Sequence, residues 1–246
     1  MSEAAKQQWD LRFDGQRQLH LKRNDPEPFV EKRDIGRGGH GVVHEVHLGG
    51  TVLALKTIRT RKVTESTLRE IEVLRHISKN RHRHVVALIG SYVFTEPRRG
   101  FYDLGLVIWP VASCDLQQFL AELEVLACSR NSLTIDLNDP SSQAGVVDNE
   151  LTSAIHTIGA IVRTDDMRYL VELQAAADQR LAACFGCIAN AISWLHDEAH
   201  IRHRDLKPAQ VLLSRDGLWL TDFGVSTFIT NLDDTATTGN ENLTFK

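Results

Sequence analysis

Strand patterns and helix patterns are separated along this chain, and that separation limits the folds it can adopt. Between residues 29 and 111, short apolar runs with alternating side chains predict five strands, interrupted by one helix from Glu65 to Ser78. From Asp115 onward the apolar spacing is mainly helical, apart from a hairpin around Arg215-Asp216-Gly217. The sequence therefore predicts an α+β protein with two lobes, the first rich in strands and the second mainly helical.

Two segments lie outside that pattern, and both are polar. The first 28 residues end in Asp25-Pro26-Glu27-Pro28, which predicts a polar N-terminal extension that leads, as an extended linker, to a fold beginning at Phe29. Residues 129–166 are polar and irregular in pattern, which predicts a partly disordered insertion within the helical part of the chain.

Charge and composition argue against several classes of protein. The 28 basic and 32 acidic residues give a net charge of −4, so no nucleic-acid partner held by general charge attraction is expected. The longest apolar run, Leu104 to Ala112, is about half the length of a membrane-spanning helix, so no membrane association is expected. Four cysteines and the lack of a signal peptide predict an intracellular protein, cytoplasmic or nuclear.

A glycine-rich segment, Gly36-Arg37-Gly38-Gly39-His40-Gly41-Val42-Val43, separates two predicted strands. Because glycine has no Cβ, backbone N–H groups in such a loop can come close to phosphate oxygens. A glycine-rich hairpin can also exist for turn geometry alone. The segment leads into a strand and not into a helix, which argues against a dinucleotide-binding fold.

One lysine and one glutamate stand in unusual positions. On the predicted strand Thr51–Ile58, Lys56 shares its face with small or apolar residues, namely Val52, Ala54 and Ile58. In the following helix, Glu70 lies on the side of the apolar stripe and therefore points toward the core. An alternative interpretation is that Thr67 and Glu70 form a helix-capping pair.

Two further motifs complete the pattern: His203-Arg204-Asp205-Leu206-Lys207-Pro208-Ala209-Gln210 and Asp222-Phe223-Gly224. Together with the glycine-rich segment, Ala54-Leu55-Lys56 and Glu70, they occur in the order and at the spacings of the eukaryotic protein kinase family. The chain resembles that family, in its serine/threonine branch. The stretch from His203 is the most specific part of the match. The resemblance implies a two-lobed kinase fold whose β-rich N-lobe contains one helix.

The resemblance also implies that the chain binds ATP and Mg²⁺ and acts on a protein substrate. Lys56 would hold the α- and β-phosphates, with Glu70 paired to it, and Asp222 would bind magnesium through its carboxylate oxygens. Four glycines would lie over the phosphates: Gly36, Gly38, Gly39 and Gly41.

The remaining roles are implied in the same way. Asp205 would accept or orient the proton of the substrate hydroxyl, and Lys207 would steady the transferred phosphate and indicates serine/threonine specificity. Val43 and Ala54 would pack against the adenine. Asp115 aligns with a ribose contact, although capping of the following helix explains an aspartate there equally well.

One position departs from the family. Gln210 stands where the family has asparagine as a magnesium ligand, so the amide is kept but is displaced by one methylene. This change supports an alternative function: a nucleotide-binding pseudokinase or interaction module with little turnover.

The extent of the family match predicts a complete N-lobe and a partial C-lobe. The match covers about residues 29–230, with an N-lobe of about 29–109 and a partial C-lobe of about 110–230. Residues 231–246 would be the start of the activation segment or a tail. A C-lobe truncated in this way would favour the same alternative function and a partner that covers it. In the activation segment, three threonines are candidates for phosphorylation: Thr235, Thr237 and Thr238.

Overall fold

The computed structural model describes residues 2–22, 24–38, 41–96, 100–129, 149–162 and 170–229. The first lobe contains two helices, α1 (Ser2–Arg12) and α2 (Glu65–Ile77), and one sheet. The six strands of that sheet are β1 (Gln18–Lys22), β2 (Arg33–Gly38), β3 (Gly41–Leu48), β4 (Thr51–Thr60), β5 (Ala87–Glu96) and β6 (Phe101–Trp109).

The second lobe is mainly helical, which confirms the predicted two-lobed α+β class. Its helices are α3 (Leu116–Cys128), α4 (Asn149–Ile161) and α5 (Leu170–Asp197). Its described residues also form five short strands: β7 (Cys114–Asp115), β8 (Ile201–Arg202), β9 (Val211–Ser214), β10 (Gly217–Leu220) and β11 (Thr227–Phe228). Among the helices described, none combines the length and apolarity that crossing a bilayer requires.

The six strands follow the order β1-β5-β6-β4-β3-β2, and only β1 pairs in parallel, with β5. One face of this sheet is covered by α2, whose buried Ile71 and Leu74 join the cluster that contains Ala54 and Leu106. Because side chains alternate along a strand, Leu53 and Leu55 face the other side. Lys56 therefore lies on the face toward α2.

The N-terminal extension is part of the fold, so the expectation that the fold begins only at Phe29 is wrong, although residues 25–28 themselves form neither helix nor strand. Helix α1 buries Ala5 and Trp9 on the sheet face opposite α2, in a cluster with Leu53 and Val107. Two buried residues at i and i+4 are too few to be visible in a polar segment, yet they suffice to dock one helix face. Strand β1 then extends the sheet, with its Leu19 buried.

Trp9 fixes this arrangement. Its ring lies directly over the backbone of Gly90 in β5, so that a Cβ at position 90 would overlap the indole. Its Nε1–H donates a hydrogen bond to the carbonyl oxygen of Gln16 at 2.6 Å, which satisfies the polar atom of an otherwise buried side chain.

One expectation about the second lobe needs correction. Within the predicted insertion 129–166, residues Asn149–Ile161 form α4, which buries Leu151 and Ile158; residues 130–148 and 163–166 lie outside the described part of the chain. Helix α5 buries Leu195, whereas its Phe185 is 67% exposed. The three candidate threonines also lie outside the described residues. The hairpin around Arg215-Asp216-Gly217 is present as β9 and β10.

Backbone hydrogen bonds join the two lobes behind the sheet. The N–H of Leu220 in β10 donates to the carbonyl of His84 at 2.9 Å, and the N–H of Val86 donates to the carbonyl of Leu220 at 3.1 Å. The His84 ring also contacts the Leu218 carbonyl at 3.1 Å. The segment before β5 is therefore tied to the hairpin that precedes Asp222.

We expect Trp9→Ala to lower the free energy of unfolding by about 3–5 kcal/mol, because it removes a buried indole and leaves a cavity against the sheet. Urea denaturation followed by circular dichroism measures this. Leu11→Ala, on the same helix but 78% exposed, should change stability by no more than about 0.5 kcal/mol. Equal stability of the two variants would contradict a structural role for α1.

Candidate active site

A cavity of about 520 Å³ lies between the two lobes. Its walls are formed by β2, β3 and β4 above, by the segment after β6, and by the loop 207–212 and Asp222 below. Most of the residues predicted from the sequence for the site line it: Gly36, Gly41, Val43, Ala54, Lys56, Asp115, Lys207, Gln210 and Asp222. Glu70 and Asp205 are hydrogen-bonded to residues of this lining. Gly39 lies outside the described residues, and Gly38 ends β2, paired with Gly41.

Lys56 holds the two lobes together at the back of this cavity. Its Nζ donates two hydrogen bonds to Glu70 on α2, at 2.8 and 2.9 Å, and one to Oδ1 of Asp222, at 2.9 Å. All three ammonium protons are thereby used. The lysine of the first lobe and the aspartate of the second therefore converge on one point, as the resemblance implies.

Burial and the neighbouring carboxylates shift the pKa of Lys56 in opposite directions. Burial alone would lower the pKa of its ammonium, but the Glu70 and Asp222 carboxylates outweigh that effect and raise the pKa above its usual value. The side chain of Lys56 is 12% exposed and that of Glu70 is 4% exposed. Lys56 is thus a permanently charged group in a partly dry environment, where its attraction for an anion is strengthened.

The start of α2 explains why Glu70 is available to Lys56. Thr64 is the N-cap and forms a capping box with Thr67, since each side chain bonds the backbone N–H of the other. The alternative that Thr67 and Glu70 cap the helix together is therefore wrong. Because Glu70 is buried on the face toward the sheet, its carboxylate is directed to Lys56.

The loop that carries Asp205 is anchored by His203. Nδ1 of His203 lies 3.4 Å from the backbone N–H of Asp205, which can only donate, so Nε2 carries the proton and donates to the Thr221 carbonyl at 2.8 Å. Burial lowers the pKa of His203, which keeps this neutral form. The Ser226 hydroxyl donates to the His203 carbonyl at 3.0 Å. The loop and the strand end before Asp222 are thus held in one frame.

Two carboxylates of the second lobe are joined by Gln210. Its Nε2 lies 3.1 Å from Oδ2 of Asp222 and 3.4 Å from Oδ2 of Asp205, so the amide N–H groups face both acceptors. Lys207 donates to the same oxygen of Asp205 at 2.7 Å. That hydrogen bond is the main reason that the pKa of Asp205 is lowered, which keeps its carboxylate ionised.

The hairpin of β2 and β3 forms the upper edge of the cavity. Gly36 pairs with Val43, and Gly41 has a φ of +140°, which side-chain-bearing residues rarely adopt. A Cβ at position 41 would also overlap the carbonyl oxygen of Thr57 on β4. Glycine at position 41 is therefore required by the close packing of β3 on β4.

Asp115 has a structural partner at the front of the cavity. Its side chain accepts a hydrogen bond from the backbone N–H of Gln118 at 2.8 Å and caps α3, which is the alternative that the sequence left open. Asp115 lines the cavity as well, so capping does not remove it from the site.

Sequence reasoning missed apolar residues that close the cavity above and below, among them Ile35 on β2 and Leu212 on β9. Alternation of side chains along the strand could have identified Leu212. Because Val211 and Leu213 are buried in the core, the residue between them must face the opposite side of the strand. Within the described ranges, no group of three or more His, Cys, Asp or Glu residues could hold a metal ion alone.

The known proteins similar to this chain include several kinases. A mitogen-activated protein kinase kinase 2 of Arabidopsis thaliana is 41% identical over 71 residues, 28% of this chain and 20% of that protein. The receptor protein kinase WSS1 of Oryza sativa subsp. japonica is 28% identical over 205 residues, which are 80% of this chain and 16% of that kinase. A cyclin-dependent kinase 4 homolog of Caenorhabditis elegans is 27% identical over 199 residues, which are 78% of this chain and 36% of that protein. The chain thus spans 16% to 36% of the length of these relatives.

A family model extends that similarity over most of the sequence. The model described as protein tyrosine and serine/threonine kinase matches residues 29–246, which include the described second lobe, the first lobe from β2 onward and every residue of the cavity described above. Only the N-terminal unit of α1 and β1 lies outside the match. This chain belongs to the protein tyrosine and serine/threonine kinase family.

Proposed function

We propose that this chain is an ATP- and Mg²⁺-dependent protein serine/threonine kinase, which transfers the γ-phosphoryl group of ATP to a hydroxyl of a protein substrate. The observation that supports this most strongly is the set of contacts around Lys56, Glu70 and Asp222, with Asp205 connected to Asp222 through Gln210. Phosphoryl transfer needs mainly positioning and positive charge, and this arrangement supplies both.

The nucleotide is proposed to lie in the cavity between the lobes. Its apolar walls, including Val43, Ala54 and Leu212, suit a flat aromatic base, while the glycines of the β2–β3 hairpin leave room for phosphates. Lys56 provides a fixed cation for the α- and β-phosphates, and Glu70 holds its ammonium in place. Asp115 remains close enough to the cavity to contact the ribose.

The donor set at the cavity fits magnesium. Asp222 offers carboxylate oxygens, which are the ligands that this cation prefers, and Gln210 offers an amide oxygen if its side chain turns over. Since magnesium usually retains waters and phosphate ligands, two protein groups suffice. When bound, the ion would neutralise charge on the phosphates.

Asp205 is proposed to receive the proton of the substrate hydroxyl. In this step the hydroxyl oxygen bonds to the γ-phosphorus, the bond between that phosphorus and the β–γ bridging oxygen breaks, and ADP leaves with the electron pair. The carboxylate is ionised and partly exposed, so a substrate can reach it. Lys207, 2.7 Å away, is placed to balance negative charge on the phosphoryl group and supports serine/threonine specificity.

A second candidate function is favoured by one observation. Gln210 directs its amide N–H groups at Asp222 and Asp205, which is the orientation opposite to that of a metal ligand. If that orientation persists with nucleotide bound, the chain would bind ATP with little turnover, as a pseudokinase or interaction module.

We expect Lys56→Met and Asp205→Asn to reduce phosphate transfer at least about a hundredfold, since each removes a charge that acts on the reacting groups. The measurement is a single-turnover assay with labelled ATP, magnesium and a generic protein substrate. Lys62→Gln, an exposed lysine outside the cavity, is the matched control and should transfer phosphate like the unmodified chain.

A rise in melting temperature with ATP and magnesium would report nucleotide binding separately from chemistry. Such a rise without transfer in the unmodified chain would establish the second candidate. Equal transfer by the unmodified chain, Lys56→Met and Asp205→Asn would refute the catalytic proposal.

We expect Gln210→Asn to keep transfer within about tenfold, because an amide remains beside Asp222, while Gln210→Leu should lose more, since no polar atom is left there. The magnesium concentration at half-maximal transfer should rise in Gln210→Leu. If leucine supports transfer at the same magnesium concentration as glutamine, the amide has no part in holding the metal.

A further inference from the structure

A second cavity, of about 490 Å³, lies between the N-terminal unit and the end of α2. It shares no lining residue with the cavity between the lobes. Seven of its twelve lining residues carry charge, and the two acids among them are Glu3 and Asp10. The cations outnumber them: Lys6, Arg17, Arg75, Lys79 and Arg81.

Only one of these cations has a carboxylate partner within the described part of the chain. Arg81 forms an ion pair with Glu3 and also donates to the Ser2 hydroxyl at 2.8 Å. Arg75 donates to the neutral Oε1 of Gln18 at 2.9 Å, and Lys6 lies 3.4 Å from the carbonyl oxygen of Ser78. The cavity therefore contains donors whose charge its own acids do not neutralise.

The pKa of Lys6 is lowered, which is the direction expected in a positively charged environment. Burial lowers the pKa of its ammonium, and Arg81 and Arg17 lower it further, whereas Glu3 and Asp10 oppose the shift without reversing it. A cation held beside other cations is destabilised relative to one in water. An anion bound among them would relieve that repulsion.

An anion in this cavity would lie near the C-terminal end of α2, so cations are needed to offset the negative charge of that helix end. The last carbonyl groups of a helix are electronegative, so this end of α2 alone would repel an anion. Lys6 lies against one of these carbonyls, that of Ser78. Guanidinium groups at positions 17, 75 and 81 then supply forked donors, which match the oxygens of a phosphate group.

We propose that this cavity binds a phosphate-class oxyanion, either a small inorganic ion such as pyrophosphate or the phosphoryl group of a phosphorylated side chain. The site is shared between the matched domain, which supplies Arg75, Lys79 and Arg81, and the N-terminal unit before position 29, which supplies Lys6 and Arg17. A bound ion joins α1 to α2, the helix that carries Glu70.

The test is titration calorimetry of the full chain with pyrophosphate, and separately with a phosphoserine peptide, in buffer without divalent cations. The variant Arg17→Gln/Lys79→Gln removes two exposed charges of the cavity without touching a buried side chain. The control Lys32→Gln/Lys62→Gln removes two exposed charges elsewhere in the same lobe. Circular-dichroism melts confirm that both variants are folded.

We expect at least one probe to bind, about tenfold more weakly in the cavity variant than in the control, because two charge-assisted contacts are lost. Lys56→Met should bind the same probe unchanged, since the cleft between the lobes takes no part. The probe that binds identifies the source of the phosphate. Failure of both probes, equal affinity in the cavity variant and the control, or loss of binding only in Lys56→Met would each overturn the proposal, and none of these results bears on phosphate transfer.

Discussion

The ammonium of Lys56, shared by carboxylates from both lobes, is the interaction on which the site depends. A charge this far from water is costly, and the cost is offset only while its partners stay in place. Glu70 belongs to α2 and Asp222 to the end of the β9–β10 hairpin, so one side chain couples the helix position to the hairpin position. Removing either carboxylate would leave part of the buried charge without a partner. The same contact therefore holds the two lobes together and fixes the charged groups of the cavity.

The sheet is what places Lys56 at that point, and it does so because both of its faces are buried. Alternation along β4 sends Ala54 and Lys56 toward α2 and the cleft, and sends Leu53 and Leu55 toward α1. A shift of one residue in register would expose both sets to the wrong environment. Trp9 contributes to the second layer by packing on Gly90 of β5, which pairs with β6, the neighbour of the strand that carries Lys56.

The parts of the structure that were predictable are those with local signals. Strand alternation predicts that Lys56 shares the inward face of its strand, and helix periodicity predicts the same for Glu70, without reference to the partners of either side chain. The docking of α1 was missed because Trp9 is buried by a sheet assembled from residues far along the chain. The anchoring role of His203 depends on the Thr221 carbonyl, which no motif reveals.

Gln210 shows how the charges of the site limit what can bind there. Asp205 and Asp222 would repel each other, and a neutral amide that donates to both reduces that repulsion without adding charge. Lys56 already donates all of its ammonium protons to carboxylates. The two lysines and three carboxylates of this hydrogen-bonded network, which does not include Asp115, leave it negative by one charge. A triphosphate entering alone would increase that excess. A divalent cation that accompanied the phosphates would reduce that excess, and the amide of Gln210 would then be able to rotate from hydrogen-bond donor to metal ligand. The departure from asparagine thus lies at the position where the charge balance of the site changes on binding.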